Sequence, residues 1–314
     1  MKLFLATLLT LTFCTACDRP TAATETTPPK VRSLLEERKK FKTTLLRKDH
    51  NGEAAPVPPA HLFQLVHYPS PAGNLAAYVG SRPPKGGKHP AIIWLFGGFD
   101  SSINELAWFP GRVENDQSAS AFREEGLVMM YPSLRGGNDN PGAMETFYGE
   151  VDDVLAAADF LAKLDYVDPQ RIYLGGHSTG GTLALLTAEC SHRFRAIFSF
   201  GPVENIAGYG RDVFTFDYKN PREIELRSPG PWLPAIQSPT FVMEGASGRS
   251  NIESLRAMAR LPHPAAVRFY PVAGANHFST LAPLTRLIAR KILADTGDTT
   301  SLQFTEAELS SAVK

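Results

Sequence analysis

Ser178 lies in Gly176-His-Ser178-Thr-Gly180, between the apolar run Ile172-Tyr-Leu174 and the helix-forming run Thr182 to Glu189. A glycine-flanked serine at a turn from strand into helix is held with its hydroxyl clear of its own backbone. A side chain at either glycine would crowd so tight a turn. The five-residue pattern alone is weakly specific. The β-type run before it and the helical run after it are what make Ser178 a candidate nucleophile. Such a serine needs a base to take its proton, an acid to orient that base, and N–H donors for the oxyanion. The chemistry implied is acyl transfer.

For the base, His277 stands in Gly274-Ala-Asn-His277-Phe-Ser, directly after the strand-like run Val267 to Val272. In this type of site the chain order is Ser, acid, His. His263, in Leu-Pro-His-Pro, precedes that strand and reads as a surface turn. The acid is expected just past Thr240-Phe-Val-Met243, where the chain offers Glu244 and no Asp. Glu253, Asp212 and Glu204 stay open as alternatives to Glu244, as does a dyad with no acid. For the oxyanion, Phe96-Gly97-Gly98-Phe99 is a glycine turn after a buried run. It can offer a backbone N–H from Gly98 or Phe99, with a second from Thr179.

The elements that must position these residues alternate along the chain. Strands are expected at Leu62 to Tyr68, Leu75 to Val79, Ala91 to Phe96, Leu127 to Tyr131, Ile172 to Leu174, Ala196 to Phe200, Thr240 to Met243 and Val267 to Tyr270. Helices are expected at Asp152 to Leu164, after Ser178, at Ile252 to Leu261 and at Leu284 to Leu293. Repeated αβ units argue for an α/β protein with a mostly parallel, doubly wound sheet and its site at the carboxyl ends of the strands. The domain is expected over residues 61–297, with a weakly structured tail over 298–314. The stretch 201–237 is long and aromatic, which suggests a cap over the site; Trp232 within it, with Phe96, would shape the substrate pocket.

The chain has 314 residues, 43% of them apolar, with 32 basic and 32 acidic side chains. That composition is ordinary for a globular protein. A net charge of zero gives no electrostatic case for nucleic acid. No dinucleotide fingerprint, P-loop or zinc spacing occurs, so no cofactor and no metal is expected.

Residues 1–17 read as a signal peptide: one lysine, an apolar run to Phe13, then Cys14-Thr-Ala-Cys17. The apolar run is too short to span a bilayer. The Cys17 end resembles a bacterial lipobox, with Cys14 where a Leu is usual, so lipidation at Cys17 and a cell-envelope location are expected. Residues 18–60 read as a tether, with an amphipathic helix possible over Val31 to Lys48. Cys190 has no cysteine partner in the body of the chain and reads as a small buried hydrophobe.

Residues 61 to 295 resemble the α/β-hydrolases of the prolyl oligopeptidase (peptidase S9) and dienelactone hydrolase kind. The resemblance rests on Phe96-Gly-Gly-Phe99, Ser133-Leu-Arg135-Gly-Gly, Glu150-Val-Asp-Asp153-Val, Val167-Asp168-Pro-Gln-Arg171-Ile, Gly176-His-Ser178-Thr-Gly-Gly and Gly274-Ala-Asn-His277. It implies a serine hydrolase acting on ester or amide (peptide) bonds of small molecules or short peptides. It also implies that Arg135, Asp153, Asp168 and His177 brace loops around the sheet. The chain departs from the family in three ways. Phe96 stands where prolyl oligopeptidases use a Tyr donor, no propeller fits before the domain, and the Asp after the seventh strand is missing. A non-catalytic binding lipoprotein and an acyltransferase on the same site are the competing readings.

Overall fold

The apolar runs become eight strands of one sheet. They are β1 (Phe63–Ser70), β2 (Gly73–Gly80), β3 (His89–Leu95), β4 (Val128–Pro132), β5 (Val167–His177), β6 (Ile197–Phe200), β7 (Thr240–Gly245) and β8 (Val267–Val272). The computed structural model describes residues 31–109 and 111–314. The expected signal peptide and Cys17 lie outside the described residues. The helices are α1 (Leu34–Lys39), α2 (Ala121–Glu124), α3 (Glu150–Leu161), α4 (Thr179–Cys190), α5 (Pro221–Glu225), α6 (Ile252–Arg260), α7 (Leu281–Ala294) and α8 (Glu306–Ala312). None of these is long and apolar enough to cross a membrane.

The strand order is β1-β2-β4-β3-β5-β6-β7-β8. β2 pairs antiparallel with β1 and β4. All pairings from β4 through β8 are parallel. Side chains alternate between two core layers, as the pleat requires. In β3, Ala91, Ile93 and Leu95 face the layer of α3, α4 and α6, whereas Ile92 and Trp94 face that of α2, α7 and α8. In β7, Val242 faces the first layer, and Phe241 and Met243 the second. Burial on both faces explains why these runs are continuously apolar rather than alternating with polar residues. The neighbours β3, β5, β6, β7 and β8 end along one edge, and the chain just after them carries Gly98, Ser178, Gly201 and His277, with Glu244 within the last turn of β7.

Both ends of the domain differ from the sequence expectation. The chain from Val31 onward belongs to the same compact unit as the sheet, so the ordered body begins well before His61. Within Val31 to Lys48, where the sequence allowed a helix or a spacer, the helix is only the short α1, N-capped by Ser33. It stops because the next residues are bonded to other parts of the molecule. Thr44 N–H donates to the Glu223 carboxylate at 2.7 Å, and Leu45 bridges Phe216. Leu34 is fully buried, and the Arg38 guanidinium donates to Tyr148 O at 2.7 Å and to Asp152 at 3.0 Å. The expected tail is also packed. Leu302, Phe304 and Leu309 are buried, and Phe304 stands edge-on to Phe241 with ring centroids 4.8 Å apart.

The stretch 201–237 folds as short turns and α5, and it divides in two. Tyr209, Val213 and Thr215 reach the cleft side. Trp232 does not, contrary to its expected place in the pocket. It is fully buried, its indole N–H donates to Glu225 O at 2.8 Å, and Arg32 lies over its ring at 4.6 Å. An aromatic ring in a Pro-rich insertion looks the same in sequence whether it caps a site or anchors the insertion. Trp232→Ala should therefore lower stability by about 3–5 kcal/mol in urea unfolding while leaving KM for a small ester nearly unchanged. A changed KM with intact stability would return Trp232 to the pocket.

Candidate active site

Strand β5 gives way to α4 at one residue, Ser178, whose φ of 58° and ψ of −115° are far from ordinary for a side-chain-bearing residue. Strain of this kind persists only where the surroundings over-determine it. Here Ser178 N–H donates to Phe200 O at 2.7 Å, lashing the turn to β6. Gly180 packs against the end of β3, where a Cβ would strike the carbonyl oxygens of Leu95 and Phe96. All of α4 behind the turn is buried. Thr179 is its first residue, so its N–H has no intrahelical partner and sits at the positive end of the helix dipole. Ser178 Oγ makes no hydrogen bond among the described residues.

His277 Nδ1 is 3.0 Å from Glu244 Oε2. The Glu244 side chain is 1% exposed, and its Oε1 accepts from Gly245 N–H at 3.0 Å. The pair leaves Nε2 of His277 as the ring's proton acceptor. Gly201 follows Phe200 and has φ +57°; a Cβ there would run into both the Glu244 carboxylate and the His277 ring. Asn251 Nδ2 donates to Gly201 O at 2.8 Å, and His277 N–H donates to Arg249 O at 3.1 Å. None of the other candidates hydrogen-bonds His277 among the described residues; Glu204 Oε2 is buried without a partner. Glu253 pairs with Arg256 at the surface, His263 bonds Leu261 O at 2.8 Å, and Asp212 lies in the short turn Arg211–Val213.

His177, next to Ser178, has more to do than the sequence suggested. Its Nε2 is 3.0 Å from His277 O, and the two rings are 4.5 Å apart. A carbonyl only accepts, so Nε2 carries the proton, and the buried Nδ1 is left without a partner among the described residues. Burial, and then the neighbouring His277, push its pKa down to about 3. The unfolded chain protonates this ring below about 6.5 and the folded protein only near 3, so folding loses stability as the pH falls through that window. His177→Gln removes this contribution. Its Tm relative to wild type should rise as the pH drops from about 7 to about 4 in thermal unfolding. A pH-independent difference would mean that folded His177 titrates normally.

The loop after β3 turns at Gly98, with φ +102°, and Thr179 Oγ1 donates to Gly98 O at 2.5 Å. This bond ties the two expected oxyanion segments together. Beside them opens a cavity of about 260 Å³, whose wall includes Phe96, Gly98, Phe99 and Thr179. Phe96 stacks on Tyr131 at 5.1 Å, and the Tyr131 hydroxyl is turned away to donate to Ser118 O at 2.7 Å. Phe99, Phe147 and Tyr209 form an aromatic cluster at the cleft, with Tyr209 5.2 Å from Phe99 and 5.8 Å from Phe147. Tyr209 OH and Thr182 Oγ1 lie 2.7 Å apart. Phe147 escaped the sequence reading; its φ of +71° is unusual for a bulky residue and has no signature in the sequence. Arg135 ties the loop after β4 to α3 through bonds of 2.9 Å from Nε and Nη2 to buried Asp153. Asp168 makes only a local turn, accepting from Gln170 N–H. Cys190 is buried beside Arg38, and burial pushes its thiol up to about 11. Among the described residues no three His, Cys, Asp or Glu side chains gather as a metal would need.

Parts of the chain are similar to known proteins. Residues 114–244 match the prolyl oligopeptidase family, peptidase S9. Prolyl oligopeptidase A of Amanita bisporigera is 31% identical over 115 residues, covering 35% of this chain and 14% of that protein. The 2,6-dihydropseudooxynicotine hydrolase of Paenarthrobacter nicotinovorans is 33% identical over 158 residues, covering 48% of this chain and 37% of that protein. The matches thus span well under half the length of these curated relatives. A puromycin-hydrolyzing peptidase of Mycobacterium tuberculosis shares the fold, with a TM-score of 0.58 at 19% identity over 78% of this chain and 41% of that one. By its fold the chain is of the α/β-hydrolase type, and over residues 114–244 it is similar to the prolyl oligopeptidase family.

Proposed function

We propose that the protein hydrolyses ester or amide (peptide) bonds through an acyl-enzyme at Ser178. The observation that carries this reading is the 3.0 Å contact of His277 Nδ1 with buried Glu244, beside the Ser178 turn. Ser178 Oγ attacks the substrate carbonyl as His277 Nε2 takes its proton. N–H groups of Thr179 and of Gly98 or Phe99 hold the oxyanion. His277 then returns the proton to the departing alcohol or amine, whose bond to the carbonyl carbon breaks. Water, deprotonated by His277, attacks the acyl carbon and releases the acid, and Ser178 regains its proton. Glu244 supplies the Glu version of the orienting acid and stabilises the imidazolium that forms.

The test is fluorophosphonate labelling of the full-length protein with mass-spectrometric mapping of the adduct. A single adduct on Ser178 is expected, lost in His277→Ala. In Glu244→Gln it should form about a hundredfold to ten-thousandfold more slowly. A folded protein that takes no label would sink the hydrolase reading in favour of a binding protein on this fold.

The lysine-led apolar run and the Cys14-Thr-Ala-Cys17 end support export and lipidation at Cys17, with the enzyme held on the periplasmic side of a bacterial membrane. Detergent phase partition checks this. The mature protein should enter the detergent phase and Cys17→Ser the aqueous one; wild type in the aqueous phase would refute anchoring.

A further inference from the structure

The cleft beside the oxyanion loop also holds a carboxyl group that the Ser-His-Glu chemistry does not use. Glu150, the first residue of α3, lines the cavity with Phe96, Phe99 and Phe147. It is only 3% exposed. Its Oε1 accepts from Glu145 N–H at 2.6 Å. Its Oε2 is buried and has no partner among the described residues. A buried carboxyl oxygen without a donor is costly, and the cost is relieved by whatever brings one.

The cations around it are engaged elsewhere. Arg135 is bonded to Asp153 at 2.9 Å and to Glu145 at 2.8 Å. Arg227, behind the cleft, is paired with Glu223. Arg47, on the cavity wall, is paired with Asp49 at 3.0 Å and also donates to Asp212 O. Asp100, on the same wall, accepts from Asn51 and Ser102. Among the described residues the wall therefore carries surplus negative charge and no unpaired cation, and three aromatic rings stand beside it.

We propose that Glu150 makes this cleft a subsite for a cationic amino group borne on an apolar or aromatic arm of the substrate. That the amine belongs to a substrate rests on the hydrolase reading, but occupancy of the subsite can be measured without turnover. An ammonium supplies a charged donor to the Oε2 that has none, and the ring faces add cation–π attraction. A neutral isostere supplies no such charge. Burial raises the Glu150 carboxyl to about 7, against the pull of Arg135 and with the push of Glu145. Near neutral pH the empty site is thus partly protonated, and a bound cation drives that proton off.

Calorimetric titration of the full-length protein with benzylamine and with benzyl alcohol tests this. Benzylamine should bind about tenfold more tightly than the alcohol in wild type, and the preference should vanish in Glu150→Gln. Benzylamine stays charged from about pH 6 to 8, so its affinity should rise over that range as Glu150 ionises, with proton release near pH 7. Equal affinities in wild type, no measurable binding of either, or a preference that survives Glu150→Gln would each overturn the proposal. If Glu150→Gln does not fold, the wild-type pH series decides, and a flat affinity overturns it. Fluorophosphonate labelling of the same preparation separates the two readings. Amine preference without a Ser178 adduct keeps the subsite and removes the hydrolase; an adduct without the preference does the reverse.

Discussion

The backbone turn at Ser178 is the constraint on which the rest of the site depends. One residue must end β5 and begin α4, and its left-handed φ is held by a 2.7 Å bond from Ser178 N–H to Phe200 O. That bond also fixes the end of β6, and the next residue, Gly201, abuts both Glu244 and His277. Ser178, His277 and Glu244 come from three different strand ends, yet they meet around the single Phe200-Gly201 step. A parallel sheet makes this economical, because neighbouring strands deliver their carboxyl ends to one edge.

The cleft beside the elbow is built by longer-range contacts. The strap from Val31 to Asn51 bonds both the 201–237 insertion and the chain between Gly136 and Tyr148. Glu223, fully buried, accepts from Thr43 and Thr44 and pairs with Arg227. The strap also contributes Arg47 and Asp49 to the cavity wall. The cavity wall is therefore shaped by residues far from Ser178 in sequence. The insertion is less a free lid than a wall pinned from outside, and Trp232 is one of the pins.

Three buried titratable groups near the site are handled in three ways. Glu244 is given donors from His277 and Gly245, which suit a carboxylate. His177 is kept neutral by burial and used as a donor to the loop that carries His277. Glu150 is given one donor and left short of a second. The first two bond to other parts of the chain in ways that fix the site. The third keeps an oxygen without a donor on a residue of the cavity wall, which is the ground for proposing it as a binding group.

The elbow and the strands were legible in the sequence because they depend on local pattern. Gly176-x-Ser178-x-Gly180 encodes a turn that tolerates no side chains at its glycines, and the continuously apolar runs encode strands buried on two faces. His277 was legible from its place after β8. Glu244 was only one of several acids, since nothing along the chain distinguishes a carboxylate that reaches an imidazole from one that faces water. The strap, the packed tail, the inward turn of Trp232 and the bare oxygen of Glu150 were not legible. Each is decided by partners far off along the chain or by the absence of a partner in three dimensions. The sequence by itself determined which backbone turns could form and which residue types they present. Only the tertiary structure decided which polar atoms are satisfied and which face the cleft, because hydrogen-bond completion belongs to the packed chain and not to any segment of it.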